Sequence, residues 1–216
     1  GRAEPWKYGI SPRSYLLQND GTGKFIDVTS RYSNELLQPG MVTSAHWIDM
    51  NNDKKEDLLI TYEWGGIDVF LFEKGKAFRK PLTNAKGWWQ GAFPLDIDAD
   101  GDLDLVAFNF GLNSRLQASK QKPVNLYLND FDDNGTMEQV ITYYLDGQEV
   151  PFSTKTQLEK RMPALKKKYL YAADFAKASV KELLGESKLR SAMKLQADFF
   201  ANALLINNGN LQFDLR

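Results

Sequence analysis

The feature that most constrains this fold is an internal repeat. The stretch that begins at Gly40 recurs at Gly87, 47 residues later, and the spacing holds through the acidic segments that follow. Five residues of the first copy map onto the second: Asp49, Asn51, Asp53, Asp57 and Leu58 correspond to Asp96, Asp98, Asp100, Asp104 and Leu105. A period in the forties is typical of propeller blades with four strands each. The repeat therefore predicts a mainly β chain.

A second recurring pattern predicts β-hairpins. An apolar stretch runs into a polar turn with glycine, and a new strand opens with phenylalanine, around Gly21, Gly75 and Gly209. Tight turns of this composition join antiparallel strands. Strands are expected at 15–19, 24–29, 42–49, 57–63, 67–73, 89–96, 104–109, 124–129 and 138–145.

From about Ser153 the apolar spacing changes to that of a helix. Apolar residues recur every three or four positions, at Leu158, Met162, Leu165, Tyr169, Ala172, Ala176, Val180 and Leu183. Thr156 with Glu159 resembles a capping box, and Gly185 is a helix stop. Pro163 predicts two helices or a kink. Beyond them, the residues from Met193 to Leu205 alternate as in a strand.

The chain therefore divides into propeller blades with acidic loops at 1–152, a helical insertion at 153–190, and strands that return to the propeller at 191–216. The expected fold is a partial β-propeller with a helical insertion. The repeats supply about three blades, and propellers usually need at least four to close. We therefore expect a fragment of a longer protein, or a chain that associates with other copies through open blade edges.

Three acidic loops carry the chemistry. Loop 1 spans residues 49–57, loop 2 spans 96–104 and loop 3 spans 130–138. Oxygen-bearing side chains stand at positions 1, 3, 5 and 9 of each loop, and position 7 adds a further oxygen, a pattern that suits a hard cation such as Ca²⁺. The candidate ligands are Asp49, Asn51, Asp53 and Asp57; Asp96, Asp98, Asp100, Asp102 and Asp104; and Asp130, Asp132, Asn134, Thr136 and Glu138.

Position 6 is glycine in loops 2 and 3, where it permits a sharp turn, but it is Lys54 in loop 1, which leaves cation binding there open. An EF-hand would need a glutamate at position 12 and flanking helices. The three loops have Ile60, Ala107 and Ile141 at that position, between predicted strands. They are therefore expected to be cation loops within a β-sheet.

These loops, with the Asp-Leu pairs that follow, resemble FG-GAP or VCBS repeats. Residues 87–89, 108–114 and 161–167 are similar to blocks in the ASPIC/UnbV and cartilage-acidic-protein type, as found in Bacteroidetes surface proteins. The resemblance implies a propeller fold stabilised by structural Ca²⁺. It also implies a non-enzymatic binding or adhesion module, outside the cell or on the bacterial outer membrane, that binds a protein or a glycan.

Composition excludes several other classes. The chain of 216 residues has no cysteine and one histidine, which argues against a disulfide scaffold, a thiolate metal site and a histidine-dependent triad. Its net charge of -1 and the lack of a reading motif argue against nucleic acid binding. No apolar run is long enough to span a membrane. The signal that would target the chain to the surface is not present in the sequence.

Three alternatives stay open. Clustered aspartates also suit a carbohydrate-active enzyme or its accessory domain, although an active site would not recur in every repeat. A spacer without a ligand is the other functional alternative. Four tryptophans are either core residues or a platform for sugars: Trp47, Trp64, Trp88 and Trp89. His46 is expected to pack, and the lysine-rich surface at 155–182 is expected to face solvent.

Overall fold

The computed structural model describes residues 1–216, and its architecture is mainly β. The chain forms two compact units. Unit 1 consists of Gly1–Asn113 and Phe200–Arg216, and unit 2 consists of Ser114–Phe199. A closed propeller is not shown. No helix is both long and apolar enough to cross a lipid bilayer.

Unit 1 holds three antiparallel sheets. The first is a hairpin of β1 (Leu17–Asn19) and β2 (Phe25–Asp27), followed by α1 (Thr29–Tyr32) and a 3-10 helix (Asn34–Leu37). The second has the order β3-β4-β5, from β3 (Met41–Ile48), β4 (Asp57–Glu73) and β5 (Lys76–Trp88). The third has the order β13-β12-β7-β6, from β6 (Gly91–Leu95), β7 (Asp104–Phe108), β12 (Ala203–Asn207) and β13 (Phe213–Leu215).

The middle sheet differs from the expectation in two ways. The two strands expected at 57–63 and 67–73 form one long strand, because the register with β5 shifts around Gly65 and absorbs the irregular backbone. The hairpin around Gly75 predicts a strand that opens at Phe78, and β5 confirms it. Strand β5 was not expected to extend to Trp88, since its sequence is rich in lysine and contains Pro81. It pairs with β4 on one side only, and an edge strand tolerates both exposed polar side chains and a proline.

The core of unit 1 follows from strand β4, which is buried on both faces. Consecutive residues Leu58, Leu59 and Ile60 are all less than a tenth exposed, although their side chains alternate between the two faces. One face packs in a cluster with Leu36 and Phe70, to which Tyr32 and Phe72 add partly buried rings. Loop 1 ends where this buried strand begins.

The last sheet of unit 1 is assembled from distant parts of the chain. Strands β6 and β7 precede unit 2, while β12 and β13 follow it, and β7 pairs directly with β12. The Asn109 amide donates to Asn202 Oδ1 at 2.8 Å, and the Gly111 amide donates to the Phe200 carbonyl at 2.8 Å. The outgoing and returning segments are thus held side by side.

Unit 2 is a four-stranded antiparallel sheet with five short helices. The sheet order is β10-β9-β8-β11, from β8 (Val124–Asn129), β9 (Glu138–Leu145), β10 (Gln148–Pro151) and β11 (Met193–Ala197). The helices are α2 (Lys155–Arg161), α3 (Ala164–Lys168), α4 (Ala172–Lys177), α5 (Val180–Leu184) and α6 (Glu186–Ser191). Residues 198–202, expected to continue a strand, separate β11 from β12.

The helix signals were partly correct. Helix α2 ends before Pro163, and α5 ends at Gly185, whose φ of 82° suits glycine, so both stops are confirmed. The expected capping box at Thr156 and Glu159 is wrong, since the box is formed by Thr154 and Gln157.

The expected continuous helical face is also wrong in its middle. Leu158 and Leu183 are buried as expected, but Ala172 and Ala176 are exposed and Phe175 packs in the core instead. Each break between short helices rotates the following helix, so the spacing of three and four holds only within one helix.

Candidate metal centre

The three acidic loops occupy equivalent places, because each joins two neighbouring antiparallel strands. Loop 1 joins β3 to β4, loop 2 joins β6 to β7, and loop 3 joins β8 to β9. Position 4 is left-handed in all three, with φ of 59° at Asn52, 60° at Ala99 and 58° at Asp133. Position 6 is also left-handed, at Lys54, Gly101 and Gly135. One backbone conformation therefore serves all three loops.

The carboxylate at position 9 connects the two ends of each loop. Asp57, Asp104 and Glu138 are all buried. Each accepts a hydrogen bond from the amide of position 2, at 3.3 Å in loop 1 and 2.8 Å in loops 2 and 3. This bond ties the start of the loop to the start of the following strand.

Two further bonds shape the upper part of each loop. The amide of position 6 donates to the position 1 carboxylate, at 2.7 Å in loop 1, 3.2 Å in loop 2 and 2.9 Å in loop 3. The amide of position 7 donates to the side chain of position 5, at 2.9, 2.9 and 2.8 Å in loops 1, 2 and 3. These bonds bend the loop so that its side-chain oxygens converge.

Loop 2 brings three carboxylates together. Oxygen atoms of Asp96, Asp98 and Asp104 all lie within 4.8 Å of one another. Desolvation, the negative charges of Asp100 and Asp104, and a smaller contribution from Asp96 raise the pKa of Asp98 above its usual value. Such a group of oxygens can ligate Ca²⁺, whose charge would relieve this repulsion.

Loop 3 forms a second group, from Asp130, Asp132 and Glu138, again within 4.8 Å. Desolvation and the charges of Asp132 and Asp130 raise the pKa of Glu138, while the Gly135 amide lowers the pKa of Asp130. Asp132 Oδ1 is buried and accepts no hydrogen bond. A buried carboxylate oxygen without a donor is costly, and a bound cation would satisfy it.

Loop 1 lacks a third converging carboxylate because position 3 is Asn51. Asp53 forms an ion pair of 3.4 Å with Lys55. Desolvation is the largest single effect on the pKa of Asp53 and raises it, but the hydrogen bonds and charge of Lys55 outweigh it and lower the pKa below its usual value. Lys54 adopts the left-handed conformation with φ of 68°, which glycine adopts without strain. The loop therefore has the shape of the other two but less negative charge at its centre.

Comparison with known protein families agrees with this geometry. Residues 49–107 match the model of the FG-GAP-like repeat. This segment is an FG-GAP-like repeat. It runs from loop 1 through β4, β5 and β6 to loop 2 and most of β7. The finer ASPIC/UnbV or cartilage-acidic-protein assignment stays a prediction. Searches of curated proteins and of solved structures find no match.

Two expected ligands of loop 2, Asp100 and Asp102, lie outside its three-carboxylate group. Asp100 accepts the Asp102 amide through its side chain. Asp102 lies beside a cleft of about 660 Å³ that Asn207 and Gly209 also line. In loop 3, the equivalent Thr136 donates its amide to Asn134 Oδ1 at 2.8 Å and its hydroxyl to Glu138 Oε1 at 3.3 Å.

Several residues that support the loops were missed. The Asn207 amide donates to Asp104 Oδ1 at 2.8 Å, and the Phe72 amide donates to Asp57 Oδ1 at 3.2 Å. Lys188 of α6 donates to the Asp130 carbonyl at 2.8 Å and forms an ion pair with Asp133. These contacts join residues far apart in sequence, so no local motif indicates them.

The aromatic residues have different environments. Trp64, Trp88 and Trp89 are each less than a tenth exposed, as expected of core residues, whereas Trp47 is 48% exposed. His46 is partly buried, with its ring centroid 5.4 Å from that of Phe93. Three of these four tryptophans are therefore core residues, and the four do not form one exposed platform.

Proposed function

We propose that this chain is a calcium-stabilised binding module that acts outside the cell and performs no catalysis. The FG-GAP-like repeat is typical of extracellular binding and adhesion modules, and no named partner follows from it. The main support for calcium binding is the pair of three-carboxylate groups in loops 2 and 3. The buried, unpartnered oxygen of Asp132 supports it.

Each of these two loops has its own set of cation ligands. Asp96 and Asp98, with buried Asp104, would hold a cation in loop 2, and Asp130, Asp132 and Glu138 would do so in loop 3. Calcium would supply a positive charge that offsets carboxylate repulsion and fixes the loop between its two strands. Backbone amides donate hydrogen bonds to the side chains at positions 1, 5 and 9. These hydrogen bonds orient the carboxylate oxygens before a cation binds.

The environment proposed for this module is the cell exterior, where millimolar calcium suits exposed loops of moderate affinity. Its partner would be an extracellular protein or a glycan, not nucleic acid. Open strand edges could also support self-association. Location on a bacterial outer membrane is part of the same proposal and follows from the resemblance alone.

Thermal unfolding with calcium or a chelator tests the metal proposal. Calcium at about 100 times its Kd stabilises a folded protein by about 2.7 kcal/mol, which raises Tm by about 5 °C or more for a chain of this size. The double variant Asp98→Ala with Asp132→Ala should lose most of this shift. The exposed Asp214→Asn is the matched control and should keep it. An unchanged wild-type Tm would overturn the metal proposal.

Catalysis is tested separately, by screening glycan hydrolysis. The proposal expects no turnover from the wild type or from Asp98→Ala. Turnover that disappears in a folded Asp98→Ala variant would instead support a carbohydrate-active enzyme.

A further inference from the structure

An aromatic wall of three residues lies on the surface of unit 1, and none of the three belongs to a three-carboxylate group. Its members are Trp47 at the end of β3, Phe72 near the end of β4, and Tyr32 of α1. The centroids of the Trp47 and Phe72 rings are 5.2 Å apart, and those of Phe72 and Tyr32 are 5.3 Å apart. Phe72 thus holds the other two rings in one continuous row.

This wall borders a cleft of about 500 Å³. The floor is apolar, with Leu16 and Val28 beside the rings. Volumes of this size are typical of small-molecule sites, which are mostly apolar and carry a few polar groups that fix orientation. Trp47 lines this cleft and is 48% exposed, so a ligand can reach its ring.

The rim supplies the polar groups. Gln18 of β1, Glu56 of loop 1 and Lys74 of the β4–β5 turn line the cleft and are exposed. Together they offer an amide that both donates and accepts, a carboxylate that accepts, and an ammonium that donates. A ligand that matches this rim needs donors and acceptors on the same edge.

We propose that this cleft binds a carbohydrate, with one sugar ring stacked on Trp47 and its hydroxyls at Gln18, Glu56 and Lys74. A pyranose has a face of C–H groups and an edge of hydroxyls, each of which both donates and accepts. The C–H face complements the electron-rich indole, and the hydroxyl edge complements the mixed rim. The inference rests on the proposed binding function and specifies its ligand class and site.

A carbohydrate fits the cleft better than a folded protein does. Stable protein interfaces take about 20 to 30 residues on each side, whereas this cleft is lined by eleven residues. Lys55 also lines the cleft, but its ammonium pairs with Asp53 at 3.4 Å. The remaining charges of Glu56 and Lys74 are opposite and suit a neutral, hydroxyl-rich ligand rather than a strongly charged peptide.

Binding to a panel of immobilised oligosaccharides tests the proposal, with the labelled full chain as the probe. The wild type should bind a related subset of glycans. Fluorescence titration with the strongest glycan should show Trp47→Ala weakening binding at least tenfold. Trp6→Ala is the matched control, because Trp6 is 94% exposed and does not line the cleft. It should bind like the wild type.

Glu56→Gln tests the rim in case Trp47→Ala unfolds. This exposed substitution should leave Tm unchanged and weaken binding about fivefold to tenfold. The inference would be overturned if the folded wild type bound no glycan, or if Trp47→Ala kept the wild-type affinity. It would also be overturned if the chain bound proteins but no glycan. None of these results changes the calcium shift in Tm, so the two proposals can fail separately.

Discussion

Loops 1 and 2 belong to the same FG-GAP-like repeat and share one backbone conformation, but they differ in their side chains. Loop 2 has Asp98 and Gly101 where loop 1 has Asn51 and Lys54. Loop 2 gathers three carboxylates, and desolvation together with the charges of Asp100, Asp104 and Asp96 raises the pKa of Asp98. Loop 1 instead places Lys55 against Asp53. The comparison teaches that the hydrogen bonds set the loop shape, while positions 3 and 6 set its charge and strain.

The largest effect should come from the buried carboxylate at position 9. Asp104 accepts two backbone amides at 2.8 Å each, whereas Asp57 accepts its two at 3.3 and 3.2 Å. Asp104→Ala leaves the buried Asn207 amide and the partly buried Ile97 amide without this acceptor and should destabilise unit 1 by about 3 kcal/mol. Asp57→Ala should cost about half as much. Urea unfolding in chelator measures both without a contribution from metal.

Equal losses in the two variants would contradict the difference between the loops. Asp100→Asn serves as the control, since Asp100 is exposed and its remaining carbonyl oxygen still accepts the Asp102 amide. The free energy of unfolding of this variant should lie within about 0.5 kcal/mol of that of the wild type.

The next effect concerns metal affinity. Asn51→Asp supplies loop 1 with the carboxylate that Asp98 provides in loop 2, and it should strengthen calcium binding there about tenfold, which equals about 1.4 kcal/mol. Calorimetric titration would show one more resolvable site than in the wild type. The same substitution at exposed Asn84, outside the loops, should add none. If the Asn51→Asp variant shows no additional heat of calcium binding, the missing charge at position 3 is not what weakens calcium binding in loop 1.

The smallest effect concerns the backbone at position 6. Lys54 has a φ of 68°, so Lys54→Gly should relieve strain and stabilise the chain by about 0.5 to 1 kcal/mol. The reverse change, Gly101→Lys, should destabilise loop 2 by a similar amount. Thermal melts in chelator, with exposed Lys24→Gly as the control, measure the difference. A destabilised Lys54→Gly would show that the lysine side chain supports the loop.

The local parts of the fold were predictable from sequence. The hairpins around Gly21, Gly75 and Gly209 are present, because a turn and its two strands are encoded within a few residues. The loops were found for the same reason, since all their ligand candidates are contiguous. The hairpin at Gly75 indicates where β5 opens, but not that it extends to Trp88, because its edge position tolerates a composition that resembles a loop.

The long-range parts were not predictable. Phe175 takes a buried place that periodicity assigned to Ala172 and Ala176, because short helices reset the spacing. The partner of Asp104 is a backbone amide, which carries no side-chain signature at all. Trp47 lies on β3, whose sequence resembles that of a core strand. Its exposure depends on how α1 and the first hairpin pack against the sheet.

The bond between Asp104 and the Asn207 amide spans 103 positions of sequence, and this has a consequence for biosynthesis. Residues of β7 leave the ribosome well before β12, at about 5 to 20 residues per second. During those seconds one edge of β7 is unpaired, while unit 2 has all of its strands and can fold first. Loop 2 therefore matures late, and a nascent chain stalled within unit 2 would expose an open strand edge to chaperones or to its neighbours on a polysome.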